Sequence, residues 1–216
     1  MQQVARCFIC NMPILQRFSS IFFFGLSGPL LLLFCHLILV IFPISLFASA
    51  SGGESCTLLH DFEDEHDLER FLTWECHSWY QLDRNHSTHG AHSLRVELYP
   101  WEKRRYQGIS LAPFTDDVRS WKGWHWLRID FYNPASTPLS LTCRIDDRRS
   151  PPYSDRFNQT FSVPPGPSTL ILDLLEMTTS GTGRPLEMGK IRSLLFFVTA
   201  PKSKLVFYMD NVRLCR

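Results

Sequence analysis

Six tryptophans and six tyrosines in this 216-residue chain all fall beyond residue 73. Several stand out of phase with the apolar positions around them. Such rings are flat stacking platforms, and an arginine or aspartate beside them supplies charge-assisted, often bidentate hydrogen bonds. Two runs show the pattern best. Leu127, Ile129 and Phe131 alternate with Arg128, Asp130 and Tyr132, while Leu139, Leu141, Cys143 and Ile145 alternate with Ser140, Thr142, Arg144 and Asp146. A period of two sends alternate side chains to opposite faces of a strand. If the two runs are neighbours, Arg128, Tyr132, Arg144 and Asp146 share one outward face, rimmed by loops that carry Trp101, Arg104, Arg105, Tyr106 and Tyr153. The competing reading is a solvated lattice of Arg–Asp pairs, with Trp74, Trp121, Trp124 and Trp126 as core or loop anchors.

Other reactive residue types do not combine into a catalytic constellation. The chain has no Gly-x-Ser-x-Gly, no Gly-x-x-x-x-Gly-Lys and no His-Glu-x-x-His. The acid pairs Asp116-Asp117 and Asp146-Asp147 would point to opposite faces of a strand, the wrong geometry for two carboxyls flanking one bond. His86, His89 and His92 are spaced by three, but no helix gathers them, so they read as solvated loop histidines rather than a zinc site. The expectation is a non-enzyme. With 22 Lys+Arg against 21 Asp+Glu there is no basic footprint for nucleic acid. Asn85-His86-Ser87 and Asn158-Gln159-Thr160 match the N-glycosylation pattern, which matters in a host that glycosylates.

The elements that must position these residues are strands. Leu94, Val96 and Leu98 alternate with Arg95, Glu97 and Tyr99 behind a His89-Gly90 turn. Asn133-Pro134 through Pro138 separates the two aromatic-bearing runs, and Pro164 to Pro167 separates a strand ending near Val163 from one over Thr169 to Leu174. Leu194 to Val198 is continuously apolar, as in a central strand. Helical signal is confined to one or two turns over Asp64 to Leu72 and a short turn capped by Thr115 that runs to Trp121. Eight or nine short strands predict an all-β fold, a two-sheet antiparallel jelly-roll sandwich. The last strand, Lys204 to Leu214, changes phase. Leu205, Phe207 and Met209 share one parity and Val212 and Leu214 the other, which predicts a β-bulge at Asp210-Asn211.

The sandwich spans 51–216, behind a 1–50 segment that is a signal peptide or membrane anchor. No Asp, Glu, Lys or Arg occurs from residue 18 to 50, Arg6 and Arg17 precede that stretch, and every acid lies at Glu54 or later. This predicts either a transmembrane helix with the remainder outside the cytoplasm, or secretion after cleavage near Ala50. Four of the seven cysteines, Cys56, Cys76, Cys143 and Cys215, fall in the sandwich. An even count outside the cytoplasm permits disulfides, and Cys56 and Cys215 flank the terminal strands, a placement suited to a staple. Cys143 is in phase with the core, so it reads equally as a buried thiol or as the partner of Cys76.

Four segments stand in a familiar order: Leu58 to Asp64, His89 to Val96, Trp121 to Trp124 with Leu127 to Asp130, and Tyr208 to Leu214. Together they resemble the galactose-binding-like jelly rolls of non-catalytic carbohydrate-binding modules. The resemblance implies antiparallel pairing of the first and last strands. In a register summing to 271, Phe62 faces Met209, Leu58 faces Arg213 and Cys56 faces Cys215. It implies a structural calcium held by Glu63 and Asp210, with Asp61 nearby and carbonyls from the turn at Thr88 to Ser93; the alternative is that Asp210 caps the bulge by accepting N–H bonds. Glycan binding is the leading expectation, through the residues that alternation and loop position bring out: Trp101, Tyr106, Arg128, Tyr132, Arg144, Asp146 and Tyr153. The other expectation on the same frame is an envelope structural or protein-interaction domain with no sugar ligand, its membrane contact made by the N-terminal segment.

Overall fold

The structure, a computed structural model, describes residues 54–65, 68, 71–74, 78–111 and 120–216. Residues 1–53, Cys76, Asp116-Asp117 and the turn expected from Thr115 lie outside the described residues. Eleven strands are described: β1 (Cys56–His60), β2 (Phe71–Trp74), β3 (Ser78–Asp83), β4 (Ser93–Leu98), β5 (Tyr106–Leu111), β6 (Trp126–Asn133), β7 (Leu139–Asp146), β8 (Phe157–Val163), β9 (Gly166–Asp173), β10 (Ser193–Thr199) and β11 (Leu205–Cys215). They form a two-sheet antiparallel jelly-roll sandwich. One sheet runs β3-β4-β11-β6-β9 with β1 also on β11, and the other runs β2-β5-β10-β7-β8. Phe71 and Leu72, expected to end a helical turn, belong instead to β2.

The core lies between the sheets, where the apolar parity of each strand meets: Leu94, Val96 and Leu98 from β4, Leu127 and Ile129 from β6, Leu141, Cys143 and Ile145 from β7, and Phe196 and Phe207 from β10 and β11. Fully burying such side chains contributes roughly 1.5 to 3 kcal/mol each. Trp121 is fully buried and is an anchor of this core. Burial pushes the Cys143 thiol far above its ordinary range, so it stays a protonated apolar filler.

β11 organises the six-stranded sheet. Residues 205–209 pair with β4, residues 212–215 pair with β1, and on the opposite edge residues 208–210 and 213–215 pair with β6. Between the two partners the register slips at Asp210 to Arg213, and Asn211 takes a left-handed φ of 52°. This is the predicted bulge, and Asn tolerates that backbone region better than most residues. Cys56 pairs with Cys215 and Leu58 with Arg213, and the disulfide Cys56–Cys215 closes a sequence separation of 159. The expected register ends there. It slips between Leu58 and His60, so Phe62 does not face Met209 in the ladder but turns into the core with φ 55°.

Candidate functional site

The four residues expected on one face are divided between two. β6 pairs with β9 and β11 in the six-stranded sheet, whereas β7 pairs with β8 and β10 in the five-stranded sheet. The link 134–138 therefore crosses between layers rather than turning a hairpin. Arg128 and Tyr132 lie on one outer face of the sandwich, Arg144 and Asp146 on the other.

Charged residues of the six-stranded face pair with one another. Arg128 pairs with Glu54 at 2.6 Å, Arg213 with Asp130 at 3.1 Å, and Glu97 with Arg95 and Lys204. The Tyr132 ring, expected to be a free platform, is covered by His86, stacked at 3.4 Å between centroids and 11° between planes. His86 is therefore a ring partner and not merely a solvated loop residue.

The acids expected to hold calcium lie on this same side and grip one loop. Asp210 Oδ2 accepts the N–H groups of Thr88 and His89 at 2.6 and 2.9 Å, and its Oδ1 accepts that of Asn211 at 2.6 Å. Glu63 Oε1 accepts Ala91 N–H at 2.8 Å and His92 N–H at 2.7 Å. Asp61 turns to its own backbone at Glu63 N–H. The His92 N–H bond, outweighing some desolvation, holds the Glu63 carboxyl below the usual range. A calcium needs six to eight oxygens turned toward it. The 88–92 loop turns amide N–H groups to these carboxylates, which act here as an amide clamp.

A cleft of about 290 Å³ opens on the outer face of the five-stranded sheet. Its floor is one register row, Phe197 of β10 beside Thr142 of β7 beside Thr160 of β8. Gly108 lies opposite Phe197 on β5, and there a Cβ would come within 2.2 Å of the Phe196 carbonyl oxygen and 2.5 Å of Phe197 Cβ, so only glycine fits. Tyr106 stands on the β5 flank, its ring edge-on to Phe197 at 5.5 Å. Tyr153, 69% exposed, stands on the β7–β8 flank in the 3₁₀ turn Tyr153–Asp155. Arg105, Arg156, Asn158, Ser180 and Thr199 complete the lining. Trp101 lies in an adjoining depression of about 490 Å³ that shares Arg105.

Arg144 also lines the cleft but is 7% exposed, with its Nε donating to Asp146 Oδ1 at 2.9 Å. Asp146, also buried, accepts Ser193 Oγ at 3.1 Å. The expected open Arg–Asp face is thus a buried pair beneath the wall, unable to reach a ligand through Asp146.

Ion pairs fix that wall. Arg184 is bidentate to Asp147 at 2.7 and 2.9 Å and reaches Asp155 at 2.8 Å. Gly181 N–H and Thr182 N–H donate to the Ser154 carbonyl, and Gly181 packs so closely on Ser154 that a Cβ would lie 2.6 Å from its Cα. Desolvation would raise the Asp147 carboxyl, but Arg184 outweighs it and holds the group below its ordinary value. Two loops distant in sequence are thereby joined into one rigid flank carrying Tyr153. The alternation pattern missed Arg156, Asn158, Ser180 and Phe197. Phe197 did leave a signal: an uninterrupted apolar run in β10 means its outer face is covered as well as its inner one.

Neither the family models nor the curated proteins contain a match to this chain. Solved structures do. A family 11 carbohydrate-binding module of a cellulosomal cellulase of Clostridium thermocellum is 14% identical, with a TM-score of 0.56 over 75% of this chain and 94% of that one. In fold, this jelly roll resembles that of the carbohydrate-binding module. The family 11 module of the same organism in complex with a β-1,3-1,4-mixed-linked tetrasaccharide gives a TM-score of 0.54 at 14% identity, covering 74% of this chain and 94% of that one. An exo-β-agarase gives 0.57 at 12% identity over 73% of this chain, but the chain spans only a quarter of the agarase. At these identities the likeness is one of fold.

Proposed function

We propose that the domain is a non-catalytic glycan-binding module and that the cleft on the outer face of the five-stranded sheet is its binding site. One observation carries the reading: an exposed tyrosine on each flank of a concave sheet face whose floor is hydroxyl-bearing. Tyr106 is 38% and Tyr153 69% exposed, above Thr142 and Thr160. Saccharide rings present apolar C–H faces to such platforms, and concave sites with few fixed polar groups are where ligands bind. The mixed-linked tetrasaccharide held by a module of this fold supports the same reading. Export, as a membrane-tethered or secreted domain, is part of the proposal and is supported by the Cys56–Cys215 disulfide.

The test is a glycan array probed with the protein, followed by calorimetry on the best oligosaccharide. Tyr153→Ala and Tyr106→Ala should each weaken binding about fivefold to tenfold, the equivalent of about 1 kcal/mol of stacking, with Tm unchanged for Tyr153→Ala. Binding equal to wild type in both variants would place the site elsewhere. If no glycan binds, an envelope protein-interaction role becomes the better reading; it is favoured by the six-stranded face, whose charges pair with one another.

A further inference from the structure

The cleft is unbalanced in both charge and hydrogen-bonding sense. Among the described residues, no carboxylate lines it. Asp146, the nearest acid in the sheet, is spent on Arg144 and Ser193. Arg156 donates its Nε to the Pro151 carbonyl at 2.7 Å and has no carboxylate partner among the described residues. Arg105 lies 6.0 Å from the Tyr106 ring centroid and likewise has no carboxylate partner among the described residues. Asn158 Nδ2 is buried without an acceptor, a state that costs free energy until something supplies one. Among the neutral groups, the Thr142 and Thr160 hydroxyls bond each other at 2.8 Å, and Ser180 Oγ accepts from Asn158 N–H and donates to Asn158 carbonyl.

Neutral sugar hydroxyls donate as well as accept, and a site for them needs free acceptors. Here, among the described residues, the groups left without a counter-charge or an acceptor are donors: the Arg105 and Arg156 guanidiniums and Asn158 Nδ2. Resting on the glycan-binding reading, we propose that the cleft selects an acidic glycan, carrying a carboxylate or a sulfate ester, and that Arg105 and Arg156 recognise the anionic group. Guanidinium forks match the planar oxygens of a carboxylate and the oxygens of a sulfate. Burial, and then the nearby Arg144 charge, disfavour the charged form of Arg156 more than Asp146 favours it, so an anion placed beside the guanidinium adds to an incomplete balance. The preference does not come from the field of the whole domain, because all 21 acids and all but two of the 22 Lys+Arg lie beyond residue 50.

The experiment titrates the protein with three probes of equal length: an oligogalacturonate, its carboxyl-reduced neutral counterpart, and a sulfated carrageenan oligosaccharide. At least one acidic probe should bind ten times or more tightly than the neutral one, and which of the two does so distinguishes carboxylate from sulfate. That advantage should shrink with added salt and fall to within about twofold in the Arg105→Gln/Arg156→Gln double variant. Arg156→Lys should keep part of it. If neutral and acidic probes bind equally, the acidic preference is overturned while glycan binding stands. If the acidic probe binds the double variant as it binds wild type, the assignment of the two arginines is overturned. If none of these probes and no glycan on the array binds, the glycan reading itself fails.

Discussion

Glu63 shows how far one residue's chemistry can be read before its neighbours are known. Its type and position near the joined strands are those of a metal ligand, but the atoms that meet it are N–H groups of Ala91 and His92. Gly90 takes a left-handed φ of 69°, and a Cβ there would lie 2.4 Å from the Glu63 Cδ. Glu63→Ala should therefore lower stability by about 1 to 2 kcal/mol, as two loop amides lose their acceptor, and a chelator should leave the wild-type Tm unchanged. A chelator-induced drop that added calcium reverses would overturn the amide clamp and return the site to a cation. The same gap between type and contact applies to Tyr132 and Arg144. Alternation correctly sends both away from the core, but it contains no term for His86 closing over one or for loop residues near 150 and 180 burying the other. Tyr106 and Tyr153, placed on a rim by loop position alone, do line the cleft.

At the scale of elements, a period of two distinguishes inward from outward and does not say which sheet a strand joins. That is why β6 and β7, both legible as strands, were expected side by side: a proline-rich link of this length can close a hairpin or cross a sandwich, and both put the same residues in the core. The bulge in β11 was legible because a phase change within one strand has few other physical causes. The wall of the cleft was not, because Arg184, Asp147 and Asp155 meet only after β7, β8 and the loop following β9 are in place. This network yields a pH prediction. A carboxylate held below its ordinary value of 3.8 contributes stability above that value and loses it as pH falls through the lowered one. Arg184→Met should cost about 3 kcal/mol at neutral pH by leaving Asp147 buried without its partner. The Tm gap between wild type and Arg184→Met should then narrow as pH drops from 7 to 3, because protonated Asp147 no longer needs the guanidinium. A gap that stays constant across that range would show that the ion pair contributes nothing.

For the molecule as a whole, the disulfide governs stability. Closing a separation of 159 residues removes chain entropy worth about 5 kcal/mol at most, and measured values commonly fall to about 2 to 4 kcal/mol. The Cys56→Ser/Cys215→Ser double variant should unfold at a correspondingly lower denaturant midpoint with a larger m-value, since its unfolded chain is no longer looped; an unchanged midpoint would show that the strand pairing alone holds the ends. The same bond has a mechanical consequence. Tension applied between Glu54 and Arg216 enters at Cys56 and leaves at Cys215 through two sulfurs, bypassing every ladder of both sheets. At 3.3 to 3.6 Å per residue, about 500 to 600 Å of contour length is hidden behind that shortcut. A domain wired in this way transmits force from one end to the other without being stretched, and its cleft keeps its shape under load until the bond is reduced.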